Sequence, residues 1–314
     1  MYPPGRRSRT MAKKGETWRL GGRDVRVTNL QKVFWPEQGY TKGDLLRYYH
    51  EVAPTLLPYM QDRPFTMRVW PDGITGKNFY RWRVPDYAPD WLERYVYHLQ
   101  TADKTAEMAV VDDLPELIWV VNQGVIEMHP WFATRQDPDR PTWMVFDLDP
   151  VAEVSFEEVL NVAGWIHALL DELGLMAAPK TSGGDGVHVF VPIERRYRFE
   201  EVRAWLGAFI HRLEEAHPAA VTSDKSLAER GGKVLIDYSQ NARGKSIAAP
   251  YGVRAKPGAP VSAPLTWDEV AAGRVRPTDF TLTTMPARLA ERGDLFAEVL
   301  HPQQRLPDLS AGEE

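Results

Sequence analysis

The sequence predicts an α/β fold built around a split-βαβ sheet, and three observations predict it. Strand-like and helix-like periodicities alternate from residue 143 onward in the order βαββαβ. The helix limits in that stretch are marked by a capping box at Ser155 and Glu158 and by Gly174. Finally, 43% of the 314 residues are hydrophobic, enough for a large buried core without disulfides, since cysteine is absent.

Residues 1–18 lack periodicity and are expected to form a mobile basic tail. Residues 1–32 hold nine Lys or Arg against Glu16 and Asp24, a net +7, so the chain's −5 leaves −12 on the rest. A basic arm before an acidic body suits phosphate binding, although a solubilising tail has the same composition. Val25–Thr28 reads as a short strand. Thr41 to Asp44 resembles a capping box opening a helix through Leu45, Leu46, Tyr49 and Val52, whose second half Pro54 and Pro58 should make irregular. Residues 61–100, rich in Trp, Tyr, Arg and Pro, suggest loops and short strands; a helix near 114–123 and a strand at 124–129 follow. These elements, residues 19–140, are expected to form an N-terminal helix-and-strand module.

In the catalytic unit, 141–301, strand 143–149 leads into a helix striped by Phe156, Val159, Leu160, Ala163, Ile166, Leu170 and Leu173. Strands near 177–181 and 187–193 follow, then a helix carrying Phe199, Val202, Leu206, Phe209, Ile210 and Leu213, and a closing strand at 233–239. Residues 302–314 read as a flexible tail. Composition excludes disulfides, thiolate zinc and iron–sulfur sites, and fits a reducing cytoplasm. No apolar stretch reaches transmembrane length, no signal-peptide core opens the chain, and no membrane partner is expected.

The chemistry concentrates on Asp147 and Asp149. Residues two apart on a strand share a face, so both carboxylates lie opposite Met144, Phe146 and Leu148. Paired acids on an apolar strand are costly unless a cation neutralises them, and hard oxygen donors suit Mg²⁺ or Mn²⁺. In a split-βαβ sheet the first strand lies between the third and fourth, placing His188 and Asp237 on its two sides. Three converging carboxylates form a site for two metal ions, of the kind that serves phosphoryl transfer. The turn Thr181–His188 is rich in glycine; its amides could cradle a triphosphate, with Ser182 and His188 as donors. Lys225, Arg230, Lys233, Arg243, Lys245 and Arg254 supply cations around Asp237, and Phe79, Tyr80 and Trp82 are candidates for stacking on bases. Each has a plainer reading as a packing, turn-forming or solvated residue.

Taken together, Phe146-Asp147-Leu148-Asp149-Pro150, Thr181-Ser182-Gly183 with Gly186 and His188, and Ile236–Asn241 resemble the three motifs of the polymerase domain of bacterial DNA ligase D, a primase-type, RRM-like unit of the archaeo-eukaryotic primase superfamily. Ala249-Pro250-Tyr251 with Arg254, Thr266-Trp267, and Val27–Lys32 with Pro36, Thr41 and Lys42 extend the likeness over roughly residues 23–300. The resemblance implies a template-dependent nucleotidyltransferase filling gaps or extending ends in non-homologous end joining. It further implies a ribonucleotide preference, two Mn²⁺ or Mg²⁺ ions, and recognition of a DNA 5′-phosphate. Its partners would be gapped or broken DNA, NTP or dNTP substrates, a Ku-like protein and a DNA ligase, in the bacterial cytoplasm at the nucleoid.

Carried over by position, Asp147, Asp149 and Asp237 bind metal and carry catalysis. Ser182, His188, His129, Arg230, Lys245, Arg254 and Arg68 line the nucleotide pocket, and Phe79 and Tyr80 stack near the base. Asn29, Lys32 and Lys42 hold the 5′-phosphate. Arg68, Trp82 and Asp185 each stand where a lysine is usual, and Asp185 in particular removes a triphosphate partner. No ligase or nuclease module fits this length, so a polymerase standing alone is expected. A primase starting chains de novo and a catalytically weak end-binding module are the rival readings.

Overall fold

The computed structural model describes residues 15–98, 105–226 and 231–309. Residues 15–18, expected in the tail, instead belong to strand β1 (Gly15–Leu20), which pairs antiparallel with β2 (Arg23–Thr28). The first 14 residues of the basic arm lie outside the described residues. Strands β3 (Val33–Trp35) and β4 (Tyr40–Thr41) lead into helix α1 (Lys42–Met60). The Thr41 side chain accepts the Asp44 N–H while the Asp44 carboxylate accepts the Thr41 N–H at 2.7 Å, closing the capping box foreseen there.

Contrary to expectation, α1 continues through Pro54 and Pro58. Both prolines are exposed, while Val52, Ala53, Leu56, Tyr59 and Met60 are buried. Packing of that apolar face holds the helix together, and the carbonyls robbed of an N–H partner lie on the side open to water.

Strands β5 (Phe65–Val69), β6 (Phe79–Arg81) and, later, β9 (Val125–Pro130) form a sheet in the order β6-β5-β9. Between them in sequence come the hairpin β7 (Arg94–His98) and β8 (Thr105–Ala109), and helix α2 (Leu114–Asn122), capped by Asp113.

The catalytic unit has β10 (Trp143–Pro150), α3 (Phe156–Glu172), β11 (Ala178–Thr181), β12 (Val187–Pro192), α4 (Phe199–Ala216), β13 (Val221–Thr222) and β14 (Val234–Ile236). The sheet order β11-β12-β10-β14-β13 is the split-βαβ arrangement, with a short parallel strand, β13, added at the edge. Met144, Phe146 and Leu148 are fully buried, and the Phe146 ring lies 5.0 Å from Phe209 of α4.

The closing strand is shorter than the expected 233–239: it stops at Ile236, and Tyr238–Gln240 form a single 3₁₀ turn. Asn241, fully buried, then does a strand's work with its side chain. Its amide accepts the Val145 N–H at 2.9 Å and donates to the Val145 carbonyl at 2.8 Å, so β10 keeps a backbone partner past the end of β14.

One hydrophobic cluster runs through residues on both sides of position 140, so the two units share a core. Tyr49 of α1 ties them: its hydroxyl donates to the Ile126 carbonyl and accepts the Val253 N–H. The stretch 302–309, expected to be a free tail, is anchored. Gln304 donates to the Met176 and Pro192 carbonyls, and Trp205 of α4 donates to the Pro307 carbonyl at 2.8 Å.

Candidate active site

The register brings the acid strand and its partners together. Asp147 stands opposite His188, and its carbonyl accepts the Asp237 N–H at 2.8 Å. Asp147, Asp149, Ser182, His188, His129 and Arg254, with Gly184, Asp185, Gly186, Gln240 and Lys256, line one cavity of about 360 Å³. The residues singled out around the acid motif and the glycine turn therefore share a pocket.

The acids differ in their surroundings. Asp237 accepts hydrogen bonds from the Ser239 N–H and hydroxyl, from Gln240, and from the Lys225 ammonium at 2.8 Å. Burial raises its carboxyl, but those donors outweigh the burial and hold it below the usual range. The Asp147 carboxylate faces the His188 imidazole at 3.3 Å, with the Lys180, Arg254 and Lys225 charges acting from farther off. Burial, then the Asp237 charge, push its carboxyl up to about 6. Asp149 sits on the same face at the exposed end of β10.

No three His, Asp or Glu side chains form a ready-made metal cluster among the described residues. What the strand offers is a pair of hard oxygen donors, Asp147 and Asp149, with the Asp237 charge beside Asp147 and the Lys225 ammonium supplying positive charge at Asp237. A divalent cation fits that donor chemistry.

His188 is held from behind by Lys180, which sequence reasoning passed over. Lys180 is fully buried, and its amine lies 2.8 Å from His188 Nδ1 and 2.5 Å from the Ser262 hydroxyl. An amine on Nδ1 leaves Nε2 to carry the hydrogen towards Asp147. Burial and the neighbouring Lys180 and Arg254 keep the imidazole neutral, with its pKa far below the ordinary value.

The glycine turn behaves differently from the cradle anticipated for it. Ser182 Oγ accepts the N–H groups of Gly184 and Gly186 at 3.1 and 3.2 Å, so those amides are already engaged. Gly183, at φ 68°, lies against Arg254, and a Cβ at Gly186 would stand 2.2 Å from the Leu148 carbonyl. Glycine is required at both positions. Asp185 is paired with Lys256 at 2.9 Å, so a lysine returns to the pocket's rim from another segment.

Glu127, also missed, organises the opposite wall. It is 2% exposed and faces Arg68 at 3.5 Å, His129 at 3.2 Å and Arg254 at 3.3 Å, while accepting the Ala255 N–H. Burial alone would raise its carboxyl; the His129, Arg254 and Ala255 contacts bring it down to about 2. A lone acid alternating with His129 in the apolar run Val125–Pro130 is the signal that could have found it, the same signal that marked Asp147. Arg254 also donates to the Ser182 carbonyl, joining this wall to the glycine turn.

Other predicted positions lie apart. Lys245 is exposed and does not line the pocket; Arg243 is held by Asp139 at 2.6 Å, and Arg230 lies outside the described residues. Phe79 and Tyr80 are exposed on β6, where Arg68 lies 5.0 Å from the Tyr80 ring. Asn29 and Lys32 line a separate cavity of about 560 Å³ with Gly15, Glu16, Leu30 and Gln31. Lys42, expected beside them, is 4% exposed; its ammonium donates to the Thr28 carbonyl at 2.8 Å and to Asn122 at 2.7 Å, bracing the turn rather than reaching the cavity.

The family described as LigD, primase-polymerase domain, matches residues 41–296. The multifunctional non-homologous end joining protein LigD of Mycolicibacterium smegmatis is 34% identical over 275 residues, covering 87% of this chain and 36% of that protein. The bifunctional non-homologous end joining protein LigD of Bacillus subtilis is 31% identical over 284 residues, 90% of this chain and 45% of that protein. The chain thus spans less than half the length of these relatives. Among solved structures, the polymerase domain from Mycobacterium tuberculosis ligase D in complex with DNA superposes with a TM-score of 0.82 at 31% identity, covering 87% of this chain and 97% of that one. Among the described residues no helix is long and apolar enough to cross a membrane.

Proposed function

The chain belongs to the LigD primase-polymerase domain family, and from that premise we propose that it is a template-dependent nucleotidyltransferase that fills gaps or extends DNA ends in non-homologous end joining. The observation that carries this reading is the half-buried Asp147, its carboxyl pushed up to about 6 by desolvation and then by Asp237, in one pocket with Ser182, His188 and Arg254.

Asp147, Asp149 and Asp237 would hold two Mn²⁺ or Mg²⁺ ions. Held by these carboxylates, such ions would supply the positive charge and Lewis acidity that nucleotidyl transfer needs. The protein's own groups do the rest. Arg254 and Lys256 meet the triphosphate, Ser182 and His188 reach its oxygens or the sugar, and Glu127 fixes the direction of Arg254. A hydroxyl-reading contact from Ser182 or His188 would favour ribonucleotides. Asn29 and Lys32 would receive the 5′-phosphate across the gap, with Lys42 as their support. A Ku-like protein and a ligase are the expected partners.

The test is nucleotide incorporation on a gapped duplex, with and without a 5′-phosphate, in Mn²⁺ or Mg²⁺, and with ATP competing against dATP. Templated addition by the wild type and none by Asp147→Ala supports the reading. Full extension by Asp147→Ala sinks it, and extension from an unprimed template would move the assignment to a primase.

A further inference from the structure

Asp185 puts a negative charge at the mouth of a pocket that a polyphosphate is to enter. Its partner is the Lys256 ammonium, at 2.9 Å, from a segment 71 residues further along the chain. Both ends of this ion pair have rigid mounts. The amides of Gly184 and Gly186 are tied to Ser182 Oγ, and Gly186 lies too close to the Leu148 carbonyl for any Cβ. On the other side, the Lys256 carbonyl accepts the indole N–H of the fully buried Trp35 at 2.9 Å, and the Ala255 N–H is held by Glu127. The backbone therefore fixes where each charge is rooted, and the side chains alone can trade partners. Both have room to do so, the Asp185 side chain being 85% exposed and that of Lys256 44%.

Lys256 Nζ lies over the glycine turn, 2.9 Å from where a Cβ of Gly184 would stand. The cations of its segment are also graded from the interior outward. Arg254 is 17% exposed and held by Glu127 and the Ser182 carbonyl, whereas Lys256 stands at the rim. Nucleotidyl transfer takes place at the α-phosphorus and releases pyrophosphate, so the α-phosphate belongs at the acids and the far end of the chain at the rim. A terminal phosphate carries about −1.5 to −2 charges at neutral pH, more than the single charge of a carboxylate. An exposed carboxylate–ammonium pair is weak, so such a phosphate can take the ammonium from it.

We infer that Asp185 and Lys256 form an exchangeable pair that selects a nucleoside triphosphate by its outermost phosphate. Lys256 leaves the carboxylate for the γ-phosphate, which a diphosphate is one phosphate too short to offer. Asp185 is the partner given up, and it holds triphosphate affinity below what the pocket would reach without it. The exchange rests on the polymerase reading above, since it needs the α-phosphate at Asp147 and Asp149.

The experiment is isothermal titration calorimetry on the full chain in Mn²⁺, without DNA, giving the Kd for ATP and for ADP. Wild type is compared with Lys256→Met and Asp185→Asn, with thermal melting to confirm that each variant folds. Lys256→Met should bind ATP about 5- to 20-fold more weakly, yet bind ADP within about twofold of wild type. Asp185→Asn should bind ATP about 2- to 5-fold more tightly, again with ADP within about twofold. Equal ATP affinity of wild type and Lys256→Met overturns the exchange and leaves an ordinary surface ion pair. An equal loss for ATP and ADP overturns it too, making Lys256 a general attractor of anions, as does an Asp185→Asn protein that gains nothing. Templated addition by the wild type is measured separately on a gapped duplex. Its absence would remove the polymerase reading, while the ATP and ADP titrations would still judge the pair.

Discussion

Asp147 keeps its proton up to about pH 6 in the fold, whereas an unfolded aspartate loses it near pH 3.9. The folded state is therefore favoured by this group below pH 4, and that advantage disappears as pH rises through 6, a cost of about 3 kcal/mol by neutrality. Asp147→Asn keeps an acceptor for His188 without the charge. In EDTA it should be more stable than wild type at pH 7.5 by up to about 3 kcal/mol, and no more stable at pH 4. Denaturant melts at the two pH values measure this, and a stability gap that does not change with pH would contradict it. Glu127→Gln should leave Arg68 and Arg254 without their carboxylate and weaken nucleotide binding by about 10- to 100-fold, the usual scale for hydrogen bonds to charged groups. The KM for nucleotide should rise more than kcat falls; an unchanged KM would reduce Glu127 to a packing residue. Asp147 was legible because carboxylates break an apolar strand pattern. Lys180 was not, because its partners His188 and Ser262 lie 8 and 82 residues away, and only register brings them together.

At the scale of elements, the capping boxes at Thr41 and Ser155 and the order of the catalytic strands could be read directly, since those signals are local. The errors came where tertiary contacts overrule local ones. α1 runs through two prolines because its apolar face is packed, and β14 ends early because Asn241 takes its place beside Val145. That substitution has a measurable cost. Asn241→Ala would leave the buried N–H and carbonyl of Val145 without partners, destabilising the protein by about 2–5 kcal/mol. Chemical denaturation should show the loss, and a value below 0.5 kcal/mol would mean that water or a shifted strand replaces the amide.

For the whole molecule, the proposed function would give two separate cavities two roles on one gapped duplex: acids and cations at the sheet, and the Asn29–Lys32 turn beyond it. Lys32 is at present paired with Asp72, so a phosphate must displace a carboxylate there. Lys32→Ala should weaken binding to 5′-phosphorylated gaps by about 5- to 10-fold more than to 5′-hydroxyl gaps, and should lower the salt slope by about 1. Titrations at two salt concentrations test it, and equal losses on both ends would make Lys32 an ordinary backbone contact. That Lys42 is a brace rather than a ligand could not be seen from the sequence, because its partner Asn122 lies 80 residues away.

The wall built on Glu127 also has a consequence in time. Its bond from Ala255 joins positions 128 residues apart, and Arg254 closes the same wall. On a ribosome adding about 5–20 residues per second, the acid strand is made several seconds before the chain that finishes its pocket. Through that interval Glu127 has Arg68 and His129 but lacks Arg254 and the Ala255 amide, and Ser182 lacks the side chain that pins its turn. The pocket's wall is thus completed only once residues 254 and 255 have been made, well after the acid strand it stands beside.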